Sequence, residues 1–233
     1  MRIGGEQNFF PDHDAIAVGK GNGRAVCALL QHFFDFEPNY TPELIGDEET
    51  KMWTADMRRD HVQIAVMEGV DGFNKEGELV RSQISFYEDG RGHGPMTVQH
   101  KAIGCRDVSD LADGLFSKGI RFLTEHENGQ PKILVGTDNV AGKVLQVFTY
   151  PIINGIFLEF KQKVGGREAE TFKEFRDDNV RGLWWHVRRM IEKMGEEQYF
   201  KLNIFGETCS LSESLLKRGV SRFMGVHILE KHS

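Results

Sequence analysis

Cysteine is scarce in this chain: Cys27, Cys105 and Cys209 are the only three in 233 residues. An odd and scattered set builds no disulfide framework, and none of the three is spaced like the ligands of a structural zinc. Cys27 falls in an apolar helical pattern and Cys105 at the end of a strand pattern, so all three read as reduced thiols of a cytoplasmic protein. Long apolar runs are missing too. No stretch approaches the roughly 20 residues that span a bilayer, and Met1-Arg2-Ile3-Gly4-Gly5-Glu6-Gln7-Asn8 has no apolar core of a leader peptide. A basic field is also absent: a net charge of −6 offers little to hold a phosphate backbone, which argues against nucleic acid as a partner. What remains is the composition of a soluble globular protein, long enough for one large domain or two small modules sharing a core.

What is present is a repeat. Pro11-Asp12-His13-Asp14-Ala15-Ile16-Ala17-Val18 and Thr97-Val98-Gln99-His100-Lys101-Ala102-Ile103-Gly104 both contain His-x-Ala-Ile, about 87 residues apart. Each reads as a short strand that leads through a polar loop into an amphipathic helix. In the first copy Val26, Leu29, Leu30, Phe33 and Phe34 recur at helical spacing over residues 24–35, and Pro38 and Pro42 end the pattern. Strands are expected at Thr50 to Met57, Val62 to Met67 and Val80 to Tyr87, followed by a loop at 90–95. In the second copy Asp107 or Ser109 can cap a helix carrying Val108, Leu111, Ala112, Leu115 and Phe116, which stops at Gly119. Strands should follow at Arg121–Leu123, Lys132–Gly136, Val144–Thr149 and Gly155–Gln162, with a hairpin turn at 138–142.

The order strand–helix–strand–strand–strand thus occurs twice, which implies an α+β fold: a first βαβββ module over 8–95, a second over 96–165, and a shared cavity between them. From about 170 onward the character changes. Asp177-Asp178-Asn179 is a helix-capping cluster, and Val180, Leu183, Trp184, Val187, Met190, Ile191 and Met194 follow at helical spacing up to Gly195. This aromatic helix suits a lid over the cavity mouth, within a C-terminal segment 166–233 that belongs to the same structural domain. Ser210 to Arg218 is compatible with a short helix and Arg222 to Leu229 with a strand.

A histidine at a strand start is more often hydrogen-bonded structure than a ligand. Two in equivalent places of a repeat point instead to a metal, which needs a third ligand. Gly155-Ile156-Phe157-Leu158-Glu159-Phe160 supplies one, because a glutamate set in so apolar a strand is costly to bury unless paired, protonated or bound to a cation. His13, His100 and Glu159 then form a 2-His-1-carboxylate set, which leaves open positions on Fe(II) for substrate and O2. The other histidines, including His93 and His186, read as surface or packing residues.

Four stretches carry a family resemblance: Arg81-Ser82-Gln83-Ile84 leading to Val98-Gln99-His100; Val144-Leu145-Gln146-Val147-Phe148-Thr149-Tyr150-Pro151; Phe157-Leu158-Glu159; and Phe175-Arg176-Asp177-Asp178-Asn179-Val180-Arg181-Gly182-Leu183-Trp184. In order and approximate spacing, over about residues 11–190, they resemble the catalytic half of 4-hydroxyphenylpyruvate dioxygenase, in the vicinal oxygen chelate superfamily. The resemblance implies a half-open barrel around a metal, with Fe(II) bound by His13, His100 and Glu159. It implies that Gln83, Gln99 and Gln146 turn amides into the cavity, that Phe148 and Phe157 wall it, and that the helix carrying Asn179, Val180 and Trp184 covers the substrate. The reaction implied is oxidative decarboxylation and hydroxylation of an arylpyruvate-like 2-oxo acid with O2, and self-association into a homo-oligomer is compatible with it. The chain departs from the family at Val180 and Trp184, where the family has phenylalanines, and at Val66-Met67-Glu68-Gly69, where Asn-Glu-Pro is expected.

Three other readings share the scaffold. Extradiol cleavage of a catechol would want a further base near the iron, for which Tyr87 or Tyr150 are the candidates. Isomerisation of the glyoxalase kind commonly uses a fourth protein ligand, where the first module offers Gln83. A non-catalytic ligand-binding protein would have no need to keep all three ligands.

Overall fold

The two copies of His-x-Ala-Ile lie on neighbouring antiparallel strands at the centre of one curled sheet. The computed structural model describes residues 9–39, 41–88, 96–138, 142–164 and 178–218. Its first half runs β1 (Phe10–Val18), α1 (Gly23–Phe34), β2 (Glu37–Pro38), β3 (Glu43–Gly46), β4 (Lys51–Arg59), β5 (Val62–Val70), β6 (Gly72–Phe73), β7 (Leu79–Val80) and α2 (Ser85–Glu88). The second runs β8 (Met96–Gly104), α3 (Val108–Phe116), β9 (Leu134–Asp138), β10 (Gly142–Phe148) and β11 (Phe157–Val164). After it come α4 (Asp178–Met194), α5 (Glu196–Lys201) and α6 (Leu211–Lys217).

Among the described residues nine strands form the sheet, in the order β2-β4-β5-β1-β8-β11-β10-β9 with β3 also paired to β4. β1 is parallel to β5, β8 is parallel to β11, and β1 and β8 join the halves antiparallel. The halves are therefore related by an approximate twofold axis through the β1–β8 contact. Alternation then sorts the side chains. On the outer face Ile16, Val18, Ile64 and Val66 pack under α1 with Val26, Cys27 and Leu30. Ile103, Val147, Leu158 and Phe160 pack under α3. On the inner face Ala15, Ala17, Met52, Met67, Phe148 and Phe157 join Leu183, Trp184, Val187 and Ile191 of α4 and Tyr199 of α5 in one buried cluster. Helix α4 packs against β9 at one end of the sheet and β3 at the other, so it closes the gap between the two edges. Each fully buried aliphatic residue on its inner face contributes about 1.5–3 kcal/mol to that closure.

Polar contacts fix the ends of these elements. The Asp107 carboxylate accepts from the N–H groups of Ser109 and Asp110 and caps α3. Ser210 and Glu213 make a capping box on α6. Arg188 anchors α4 to the β3–β4 turn through Asp47, Glu49 at 2.8 Å and Thr50 at 3.2 Å.

Several expectations need correction. The strand expected at Val80 to Tyr87 is only Leu79–Val80; the chain then turns into α2. Asp71 is the cause, since its Oδ1 accepts from Ser82 N at 2.8 Å and Ser85 Oγ at 2.7 Å and gathers that segment into a turn. Gly69 permits the packing, because a Cβ there would lie 2.2 Å from Ser85 Oγ and 2.7 Å from Ser85 N. Arg121–Leu123 is a single bridge, Phe122 to Thr149, and not a strand. The apolar face of α1 is only partly buried: Leu29, Phe33 and Phe34 are exposed, because the sheet covers just the Val26–Leu30 side. Helix α5 and the short strands β2, β3 and β6 carry too few residues for a periodic signal. The loop at 90–95, His93, the tip of the turn at 138–142 and the strand at Arg222–Leu229 lie outside the described residues. No described helix is long and apolar enough to cross a membrane.

Candidate metal centre

The inner face brings His13, His100 and Glu159 together. His13 and His100 sit on β1 and β8, and Glu159 on β11 lies in register with Ala102, two residues beyond His100. Glu159 Oε2 is 3.5 Å from His13 Nε2 and 3.3 Å from His100 Nε2, and the two Nε2 atoms are 3.4 Å apart. A point equidistant from three such corners lies about 2.0 Å from each, which is the length of a bond from a divalent cation to an imidazole nitrogen or a carboxylate oxygen. The donor set therefore fits a metal ion, and among the described residues it is the cluster of three donors that could hold one.

Each donor is held from behind. His13 Nδ1 bonds Asp12 Oδ1 at 2.9 Å, His100 Nδ1 bonds Gln99 Oε1 at 3.0 Å, and Gln146 Nε2 donates to Glu159 Oε1. With Nδ1–H donated backwards, each Nε2 is left as the lone-pair donor that a metal requires. The sheet achieves this with two bulges. Between Pro11↔Ile103 and His13↔Ala102 the extra residue is Asp12; between Ala15↔His100 and Ile16↔Val98 it is Gln99. Adjacent residues of a regular strand face opposite ways, and the bulge is what lets each orienting side chain reach the histidine that follows it.

Electrostatics agree with this arrangement. Burial opposes ionisation of Glu159, but His13, His100 and Lys161 outweigh it and hold the carboxyl at about 2. Burial pushes His100 below the usual histidine value, so the imidazole stays neutral beside a charged carboxylate. The Asp12 side chain is 3% exposed; burial would raise its carboxyl, yet the His13 hydrogen bond, Lys161 and Lys163 keep it well below the usual carboxylate range.

The remaining expected site residues fall in three groups. Phe148 and Phe157 are buried beside the donors, with the Phe157 ring stacked on His100 at 5.0 Å between centroids. Gln99 and Gln146 are buried, with their amides bonded to the ligands. Gln83 lies in the segment between β7 and α2, lining a groove of about 320 Å³ with Arg81, Arg188 and Ile191. Its Oε1 is buried with no hydrogen-bond partner among the described residues, as is Trp184 Nε1 on α4. The side chains of Asn179 and Val180 lie outside the described residues.

Three residues escaped the sequence reading: Asp12, Lys161 and Asp56. Lys161 follows Glu159 at the spacing that puts both on one face, which was a visible signal. Asp56, on β4, is 2% exposed; its Oδ2 accepts from Asn39 Nδ2 at 2.6 Å and Gln63 Nε2 at 2.7 Å, while Oδ1 has no partner among the described residues. Burial drives its carboxyl up to about 6, against the opposing pull of Asn39, His13, Lys161 and Gln63. In the approximate symmetry Asp56 pairs with Ala65 as Phe148 pairs with Glu159. The counterpart of Glu159 in the first half is thus Ala65, which cannot ligate a metal, and not Gln83.

No family model and no curated protein matches this sequence. Among solved structures, a mutant of 4-hydroxymandelate synthase from Streptomyces coelicolor matches at 22% identity with a TM-score of 0.63, over 78% of this chain and 54% of that one. A xylose isomerase-like TIM barrel/4-hydroxyphenylpyruvate dioxygenase fusion protein matches at 16% identity and TM-score 0.49, over 77% of this chain and 29% of that one. Methylmalonyl-CoA epimerase from Mycobacterium tuberculosis matches at 16% identity and TM-score 0.42, over 66% and 88%. The chain spans about half the length of the synthase. The first likeness establishes the fold, a curled mixed half-barrel of the vicinal oxygen chelate kind, and leaves the chemistry to the site.

Proposed function

We propose that this protein is a non-haem Fe(II)-dependent dioxygenase that oxidatively decarboxylates and hydroxylates an arylpyruvate-like 2-oxo acid, in the manner of 4-hydroxyphenylpyruvate dioxygenase. The carrying observation is the triangle of His13, His100 and Glu159, with Phe148 and Phe157 buried beside it. Three protein ligands leave coordination positions for a chelating acid and for O2, whereas a structural metal site is commonly closed by four. When bound, the iron would supply the binding and activation of O2. The rest falls to the chain. Asp12 and Gln99 orient the imidazoles, and Gln146 keeps the Glu159 carboxylate turned inward. Phe148, Phe157 and Trp184 exclude water from the reacting space and offer flat surfaces to an aryl group. Gln83 Oε1 and the Trp184 indole N–H are, in this reading, the polar atoms that a bound substrate satisfies, and the family resemblance would add Asn179 and Val180 as substrate contacts.

The modules at 8–95 and 96–165 would build the barrel, and 166–233 would supply its lid helix and an extension. The reading includes a cytoplasmic setting, supported by three unpaired cysteines. Ala65 opposite Glu159 weighs against the four-ligand chemistry of a glyoxalase-type isomerase.

The test is anaerobic reconstitution with Fe(II) followed by a panel of 2-oxo acids. A visible metal-to-ligand charge-transfer band, and O2 consumption on admission of air, are expected for at least one arylpyruvate. If no acid gives either signal, the dioxygenase reading is wrong. Equal metal content in the His100→Ala variant would refute the ligand assignment.

A further inference from the structure

Lys161 is buried, with its side chain 8% exposed, two residues beyond Glu159 on the same face of β11. Its Nζ lies 3.1 Å from Asp12 Oδ1, the oxygen that also binds His13 Nδ1, and Lys163 Nζ lies 3.2 Å from Asp12 Oδ2. Placing an ammonium and a carboxylate here has a desolvation cost of several kcal/mol per ion, which close pairing offsets. A neutral acceptor would orient His13 as well, and Gln99 does just that for His100. The ion pair therefore calls for a reason beyond orientation.

We propose that Lys161 is a positioning and charge-setting residue which, acting through Asp12, keeps the metal centre net positive and so selects an anionic ligand. The inference rests on the metal reading above. Two carboxylates, Glu159 and Asp12, lie beside the proposed cation. Left alone they would cancel a divalent charge and leave no electrostatic preference for an incoming carboxylate. Lys161 and Lys163 carry one positive charge more than Asp12, so the loaded centre retains a positive charge towards its open face even with Glu159, and Asp56 at neutral pH, counted against it. The clasp also makes Asp12 a weaker electron donor to His13, so the two imidazoles resemble each other as ligands.

A charge-setting role and a merely supporting one predict opposite signs, which makes the proposal testable. Co(II) serves as a spectroscopic probe: its affinity is measured by titration calorimetry, and oxalate binding to the Co(II) protein by its visible spectrum. In Lys161→Met, Co(II) should bind about threefold or more tighter while oxalate binds about tenfold weaker, because one positive charge has left a poorly screened site. Lys161→Arg should stay near the unaltered protein. The double variant Asp12→Asn with Lys161→Met, which removes both charges, should bring both affinities back towards it. Weakening of both Co(II) and oxalate in Lys161→Met, with no recovery in the double variant, would mean that Lys161 only supports the fold and would overturn the proposal. Unchanged affinities in Lys161→Met would also overturn it while leaving the metal reading intact. Failure of the unaltered protein to bind Co(II) would overturn both.

Discussion

Replacing Asp56 by asparagine should make the protein more stable at neutral pH, and the gain should grow with pH in a defined window. Asp56 is buried with one oxygen unpartnered among the described residues, and its carboxyl sits at about 6 against an ordinary value of 3.8. The folded state thus holds a proton that the unfolded chain releases. The stability associated with that proton is fully present below about pH 3.8 and is lost as pH rises through 6. At 1.36 kcal/mol per pKa unit the whole loss is about 3 kcal/mol, of which about 1.3 kcal/mol falls between pH 5 and 7. Other groups titrate in the same range; burial lowers His100, for example, and opposes the trend. The quantity to measure is therefore the difference between variant and unaltered protein. Urea unfolding of metal-free protein at pH 5, 6 and 7 supplies it, with Asn39 and Gln63 free to flip their amides to meet the new asparagine. A difference that is flat across these three points, or that shrinks with pH, would refute the claim that the Asp56 charge is paid for by the fold.

Other substitutions probe the centre and its lid. His100→Ala should lower affinity for Fe(II) or Co(II) by at least about a hundredfold while preserving the far-ultraviolet circular dichroism, since two donors cannot close the triangle; calorimetry checks it. Gln146→Leu removes the amide that holds Glu159 Oε1 and should reduce metal affinity by about 10–100-fold, with little effect on unfolding in the absence of metal. Arg188→Met cuts α4 from Asp47, Glu49 and Thr50, and should cost about 1–3 kcal/mol and lower hydrogen-exchange protection along α4 before the central strands are affected. Uniform exchange across the molecule in that variant would show that α4 is not separately latched.

The sequence by itself carried the parts that depend on local pattern. Period-two and helical spacing located the strands beneath the helices, and α1, α3 and α4, because burial of one face imposes that pattern on any chain that folds this way. The His-x-Ala-Ile repeat and a glutamate in an apolar strand singled out His13, His100 and Glu159, since each is a costly choice unless chemistry uses it. The tertiary structure decided what depends on which strand lies beside which. Adjacent in sequence, Gln99 and His100 can both face the site only if the strand is twisted or bulged there; register made Gln99, and Asp12 beside His13, the bulge residues and turned them onto the histidines. Lys161 meets Asp12 across 149 positions of chain, and its alternation with Glu159 names a face but no partner. Asp71 gathering Ser82 and Ser85 outweighed the strand-like pattern of Val80 to Tyr87, and sheet curvature left Phe33 in solvent although its spacing matched the buried stripe. Local periodicity reports which face of an element is covered. Pairing register and long-range electrostatics, which belong to no single segment, decide what that face meets.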